Sequence, residues 1–158
     1  MSNRALPIYI DDHFAMISGE MDLAQRVASE NTAHELGPFL VEYQRELQSQ
    51  RDLLQALLAA QNQSPSVVKQ TVTWLAEKLG RLKPNDAWSG YTDLARVLEL
   101  EVLITAAQAR LLLWETLLHA LVNNGGIEDA QHATQQQLEA LQTFHQQARQ
   151  IAFPSVNN

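Results

Sequence analysis

Carboxylates and imidazoles recur in this chain at spacings that place them on one side of a helix. Advancing 100° per residue brings Glu101, Gln108, Glu115 and His119 within about 40° of one another, and Glu115 and His119 are related as i and i+4. Upstream, His13 and Glu20 share a face with Tyr9, Met16, Leu23 and Val27, and Asp12 lies at its edge. Glu46 and Gln50 border a stripe of Leu36, Leu40, Tyr43, Leu47, Leu54 and Leu58, and His145 stands among Leu138, Leu141, Ala148 and Ala152. Glutamates and histidines aimed into a helical bundle are the ligands of a two-metal carboxylate centre, where two helices give one Glu each and two give Glu-x-x-His. The motif is missing here, because the third residue after Glu20, Glu42, Glu101 and Glu115 is Leu23, Arg45, Ile104 and Leu118. What remains is a candidate metal site of His13, Glu115 and His119.

Other chemistries lack their residues. The chain has no cysteine, which removes disulfides, thiolate ligands and a cysteine nucleophile and makes a cytoplasmic location the default. It contains no Gly-x-x-x-x-Gly-Lys, Gly-x-Gly-x-x-Gly, His-Glu-x-x-His or Gly-x-Ser-x-Gly, so phosphate cradle, dinucleotide site, zincin and hydrolase elbow are unsupported. Eleven Lys and Arg against 18 Asp and Glu give a net charge of -7. That charge repels a phosphate backbone, so no nucleic-acid partner is expected. No stretch of 18 uncharged apolar residues is present, and no membrane span or signal peptide is expected either.

The elements that must position these groups are helices. Leu, Ala, Gln and Glu dominate, and the few glycines and prolines fall where helices should begin or end. Pro7, Gly37-Pro38, Ser64-Pro65, Gly80, Thr92 and the run Asn123-Asn124-Gly125-Gly126 mark out five helices, roughly 8–30, 34–60, 65–80, 92–122 and 128–152. The stretch from Arg81 to Tyr91, with Pro84, Asn85 and Gly90, reads as a loop anchored by Leu82, Trp88 and Tyr91. Four of the five are about 25 to 30 residues long and pack side by side most economically as an antiparallel four-helix bundle. The class is therefore all-α, one domain over 1–158, with a short extra helix before the fourth segment. A long crossover through that segment would give ferritin-like topology, and short connections throughout would give a plain up-down bundle.

The fourth segment is apolar nearly all round, which predicts the most buried helix of the five. Arg96, Glu99 and Arg110 are expected to form its narrow solvent side, with Glu101, Gln108, Glu115 and His119 facing inward. Leu112 is expected in the core, with a loss of roughly 2 to 5 kcal/mol on truncation to Ala. Trp74 and Trp114 are expected to pack among leucines. If the first and fourth segments run antiparallel, the His13 end meets the His119 end, while Glu101 lies about 21 Å from Glu115 along the same helix.

The run Trp74-Leu-Ala-Glu77-Lys78-Leu-Gly80-Arg81-Leu82-Lys83, with Leu98-Glu99-Leu100-Glu101, Leu113-Trp114, Asp12-His13 and Leu23-Ala24-Gln25-Arg26, resembles a family of uncharacterised bacterial proteins with ferritin-like bundles. The resemblance implies a fold, brings no activity with it and transfers no catalytic residue.

Two functional readings follow. The first is a non-catalytic helical module working through a protein partner or self-association, with no cofactor. The second is a ferritin-like metal-binding protein holding iron, manganese or zinc in a degenerate site built from some of Glu20, Glu46, Glu101, Glu115, His13, His119 and His145. Inward carboxylates need partners in either case, since an unpaired buried charge costs several kcal/mol.

Overall fold

The computed structural model describes residues 4–66, 90–122 and 125–155. Among them the chain forms four helices and no strand: α1 (Ala5–Glu30), α2 (Leu36–Ala59), α3 (Asp93–Ala120) and α4 (Ile127–Ala152). The helix expected over 65–80 lies outside the described residues except at its first two positions, and so do Trp74, Trp88 and most of the expected loop.

The boundaries follow from local chemistry. Thr92 sits in extended conformation before α3 and its hydroxyl accepts the Ala95 N–H at 3.1 Å, satisfying one of the unpaired donors of the first turn. Gly126 opens α4 with φ at 82°, a left-handed value that a Cβ disfavours. Between α1 and α2 the turn is tight. The His34 N–H donates to Asn31 O at 3.0 Å, and the His34 ring nitrogen Nδ1 accepts the Leu36 N–H at 3.0 Å. A Cβ at Gly37 would stand 2.4 Å from the Asn31 carbonyl oxygen, so only glycine lets the start of α2 pass so close to the end of α1.

One apolar core joins the four helices. Ile10, Ile17 and Val27 of α1, Leu40, Leu47 and Leu54 of α2, Leu103, Leu113 and Leu117 of α3, and Leu141 of α4 are all buried in it. Residues of α1 and α3 pair in sequence: Tyr9 with Thr116, Glu20 with Arg110, Arg26 with Glu99, and Asn31 with Arg96. Along α4, Thr134 meets Trp114, Gln137 meets Arg110, and His145 meets Glu101. No helix of the described residues is long and apolar enough to cross a membrane.

The orientation of α3 differs from the sequence expectation. Glu99 and Arg110, read as solvent-facing, are 2% and 1% exposed, whereas Glu101, Gln108, Glu115 and His119 lie on the outside. Leu112 is 61% exposed rather than core. The helix is not singled out by burial either, since α1 and α3 bury nine residues each. A helix with leucine on most of its circumference has no apolar stripe sharp enough to fix its rotation, and the buried arginine turned it. Leu112→Ala is accordingly expected to change stability by less than about 1 kcal/mol in urea unfolding. A loss of 2 kcal/mol or more would show Leu112 to be covered.

Candidate functional site

Arg110 lies at the centre of the bundle, and its guanidinium is met by oxygen on every side. Nε donates to Glu20 Oε2 and Nη2 to Glu20 Oε1, each at 2.9 Å, a two-point contact between planar groups. Nη2 also donates to the Tyr43 hydroxyl at 2.8 Å, and that hydroxyl donates in turn to Glu20 Oε1. Nη1 faces Gln137 Oε1 at 2.8 Å, Gln50 Oε1 at 2.9 Å and Thr134 Oγ1 at 3.1 Å. The Thr134 hydroxyl donates to Ala130 O at 2.7 Å and accepts from Trp114 Nε1 at 2.9 Å. One charge pair and its hydrogen bonds thus tie α1, α2, α3 and α4 together.

All five N–H groups of the guanidinium have acceptors, and both carboxylate oxygens of Glu20 have donors. Burial opposes the charge on Arg110, yet Glu20 and Tyr43 together keep its pKa above the ordinary value. Burial, and then the Glu20 charge, push the Tyr43 phenol well above its usual 10. Glu20 and Arg110 are thereby engaged by partners within the core.

A second polar cluster lies where α1 ends and α3 begins. Glu99 pairs with Arg26 at 2.8 Å and accepts the Tyr91 hydroxyl at 2.9 Å. Asn31 Nδ2 donates to the Tyr91 hydroxyl at 3.1 Å and to Val27 O at 2.8 Å, and Asn31 Oδ1 accepts from Arg96 Nε at 2.7 Å. Burial raises the Glu99 carboxyl above its usual 4.5, with Tyr91 and Arg26 pulling the other way, and raises the Tyr91 phenol.

Glu20, read from sequence as inward, is buried at the centre; Gln50, read at the border of its stripe, joins it there, and Glu46 on the same border accepts from Gln50 at 3.4 Å. Glu115 and His119 are corrected: both are exposed on α3. His13 is partly buried on α1 and does not join them. Glu101 is exposed too and meets His145 at 3.1 Å across α3 and α4. Among the described residues no three His, Asp or Glu side chains are grouped to hold a metal ion.

Sequence alone singles out neither Thr134 nor Gln137, and it places Arg110 on the solvent side. The signal for Arg110 is the spacing of α3, where Leu100, Leu103, Ala107, Arg110, Trp114 and Leu117 follow one another by three and four residues. That seam is the buried edge of a bundle helix, and Arg110 occupies one of its places.

His13 adds a pH dependence. Burial lowers its pKa below 6.5, outweighing the opposing pull of Asp12. The unfolded chain therefore binds more protons than the fold in the interval just below pH 6.5, and stability falls as the solution is acidified through it. His13→Phe is expected to flatten that part of a urea-midpoint profile against pH. Glu99 works in the opposite sense at lower pH, because a raised carboxyl makes the fold gain on protonation, so the comparison has to be made between variants. An unchanged slope between pH 7 and 5.5 in the His13 variant would show the imidazole to be solvated.

Comparison of the chain with protein-family models, with curated proteins and with solved structures gives no match in any of the three.

Proposed function

We propose that this chain is a non-catalytic helical bundle that acts through protein contacts or self-association. The observation that carries the reading is the closure of the Glu20–Arg110 network. A bundle of carboxylate-bearing helices does chemistry at its middle by holding a cation there. In this chain the cation at the middle is a guanidinium, which cannot change its charge or open a coordination site. The network then serves to set the mutual register of four helices, the use best attested for buried polar groups. Activity is left to the surface, where Ile8, Val41 and Leu112 stand exposed.

The fold we propose in more detail is an antiparallel bundle with a ferritin-like crossover, like that of the bacterial family it resembles. Partner numbers along α3 fall from 116 to 96 as those along α1 rise from 9 to 31, which supports opposite directions. The Ser66 N–H donates to Asp11 Oδ1 at 2.8 Å, while Tyr91 meets Asn31. Asp11 and Asn31 are about 30 Å apart along the axis of α1, so Ser66 and Tyr91 lie near opposite ends of that helix. We keep the cytoplasm as the proposed compartment, on the cysteine-free sequence.

Sedimentation equilibrium over a wide concentration range tests the reading, together with metal analysis of protein purified without chelator or affinity tag. The expected results are a concentration-dependent mass, which Leu112→Asp alters without lowering thermal stability, and metal well below one per chain. Stoichiometric iron, manganese or zinc would overturn the non-catalytic reading. A strictly monomeric chain would remove self-association and leave a heterologous partner.

A further inference from the structure

The α1–α2 pair carries an open groove of ≈ 690 Å³, lined by Ala28, Pro38 and Val41 with Gln25, Gln44 and Gln48 among others. Val41 is 47% exposed within it. One turn further along the same two helices, Arg51 of α2 reaches over α1. Its guanidinium lies 4.7 Å from the centroid of the Phe14 ring, and Nη1 is 3.7 Å from Met21 Sδ. Arg26, Arg45, Arg96 and Arg110 each meet a carboxylate at 3.0 Å or less. Among the described residues no carboxylate pairs with Arg51, and its Nε is buried without a hydrogen-bond partner. We propose that the groove binds an amphipathic helix of another protein, with an apolar side chain against Val41 and a carboxylate on Arg51. The inference rests on the protein-contact reading and assigns it a face and a partner.

Each feature of the partner follows from the groove. A guanidinium stacked on an aromatic ring has given up part of its water without gaining a counter-charge, and a planar carboxylate matches its donors. Arg51 is only partly buried, so the outer edge of the guanidinium stays within reach. A groove between two helices offers no free backbone edge, which excludes strand addition and leaves a helix as the complementary element. Val41 and Arg51 are ten residues apart in sequence, about 15 Å along α2. A helix laid along the groove covers that rise with its apolar and acidic residues three turns, about 11 positions, apart. Asp22 and Asp52, next in sequence to Met21 and Arg51, are exposed, so basic or neutral residues should flank the partner's carboxylate. The net charge of -7 opposes a second copy in the groove and favours a partner of opposite sign.

A phage-displayed library of helical peptides, selected against the full chain, tests this. The expected result is a set of binders that share an apolar and an acidic residue about 11 positions apart. Arg51→Gln should weaken them about tenfold or more, the loss of a charge-assisted hydrogen bond, and Arg51→Lys should recover part of that loss. Val41→Asp should abolish binding, whereas Leu112→Asp, on another helix, should leave it unchanged. Replacing the acidic residue of the peptide by Gln reads the same contact on the wild-type chain, so the test stands even where a protein variant fails to fold. A selection that yields no binder, binders that lack the acidic residue, or equal binding by a folded Arg51→Gln chain would each overturn the proposal. Those outcomes leave the sedimentation and metal measurements untouched, so the groove can fail while the protein-contact reading stands.

Discussion

Arg110→Met is expected to lower the unfolding free energy by about 3–5 kcal/mol, the cost of leaving a buried partner charge uncompensated. The cause is Glu20, which is 1% exposed and would keep only the Tyr43 hydroxyl as donor. Gln50, Thr134 and Gln137 would lose their shared donor at the same time. Glu20→Leu should cost a similar amount by the mirror argument, because the guanidinium would be stranded. The double variant separates charge from packing. With both ions replaced by apolar groups the buried charge is gone, so the combined loss should fall well short of the sum of the single losses. Acid gives an independent readout. An unpaired buried carboxylate has a raised pKa, so Arg110→Met should regain stability relative to wild type as the pH is lowered toward 5. Urea unfolding of the four proteins at two pH values measures all of this. Additive single losses, or a loss below about 1 kcal/mol for Arg110→Met, would show that the guanidinium is solvated and that the network does not hold the bundle.

How much of this could be read beforehand depended on how sharply each helix is patterned. The expected starts at 92 and 128 fall within a residue of the observed ones, because Thr92 and Gly125-Gly126 act locally through backbone geometry that needs no tertiary context. Glu20 was legible as inward because α1 alternates apolar and polar faces clearly enough to fix its rotation. On α3 the pattern does not fix the rotation. Leu98, Leu100, Leu103, Leu111, Leu112, Leu113, Leu117 and Leu118 surround the axis, which leaves the polar residues as the guide, and they mislead if arginine is taken to face water and a row of carboxylates and histidine to mark a site. Burial is decided instead by whether a charge finds partners. Arg110 finds Glu20, Tyr43, Gln50, Thr134 and Gln137 on three other helices, and none of those contacts is visible from α3 alone. Thr134 and Gln137 show the same limit, since a Gln-rich helix gives no reason to single out the two that turn inward.

Trp114→Ala is the second variant with a large expected effect, about 3–5 kcal/mol. The indole is fully buried and fills the seam of α3 one turn after Arg110, so its removal opens a large hole in the middle of the core. The hole also loosens Thr134, whose hydroxyl is held between Trp114 Nε1 at 2.9 Å and Ala130 O at 2.7 Å and thereby presents a lone pair to Arg110. Trp114→Phe divides these contributions. It keeps most of the ring volume and deletes the N–H, and Thr134 retains its bond to Ala130 O and the approach of Arg110 Nη1, so no donor is stranded. The expected loss is the smaller cost of a partly filled site plus one hydrogen bond, about 1–2 kcal/mol. If the indole served only as filler, Phe and Thr134→Val would have independent effects. Because the N–H positions the hydroxyl that faces the guanidinium, Trp114→Phe combined with Thr134→Val should cost less than the two changes measured separately, and strict additivity in urea unfolding would break the link between the aromatic core and the buried ion pair.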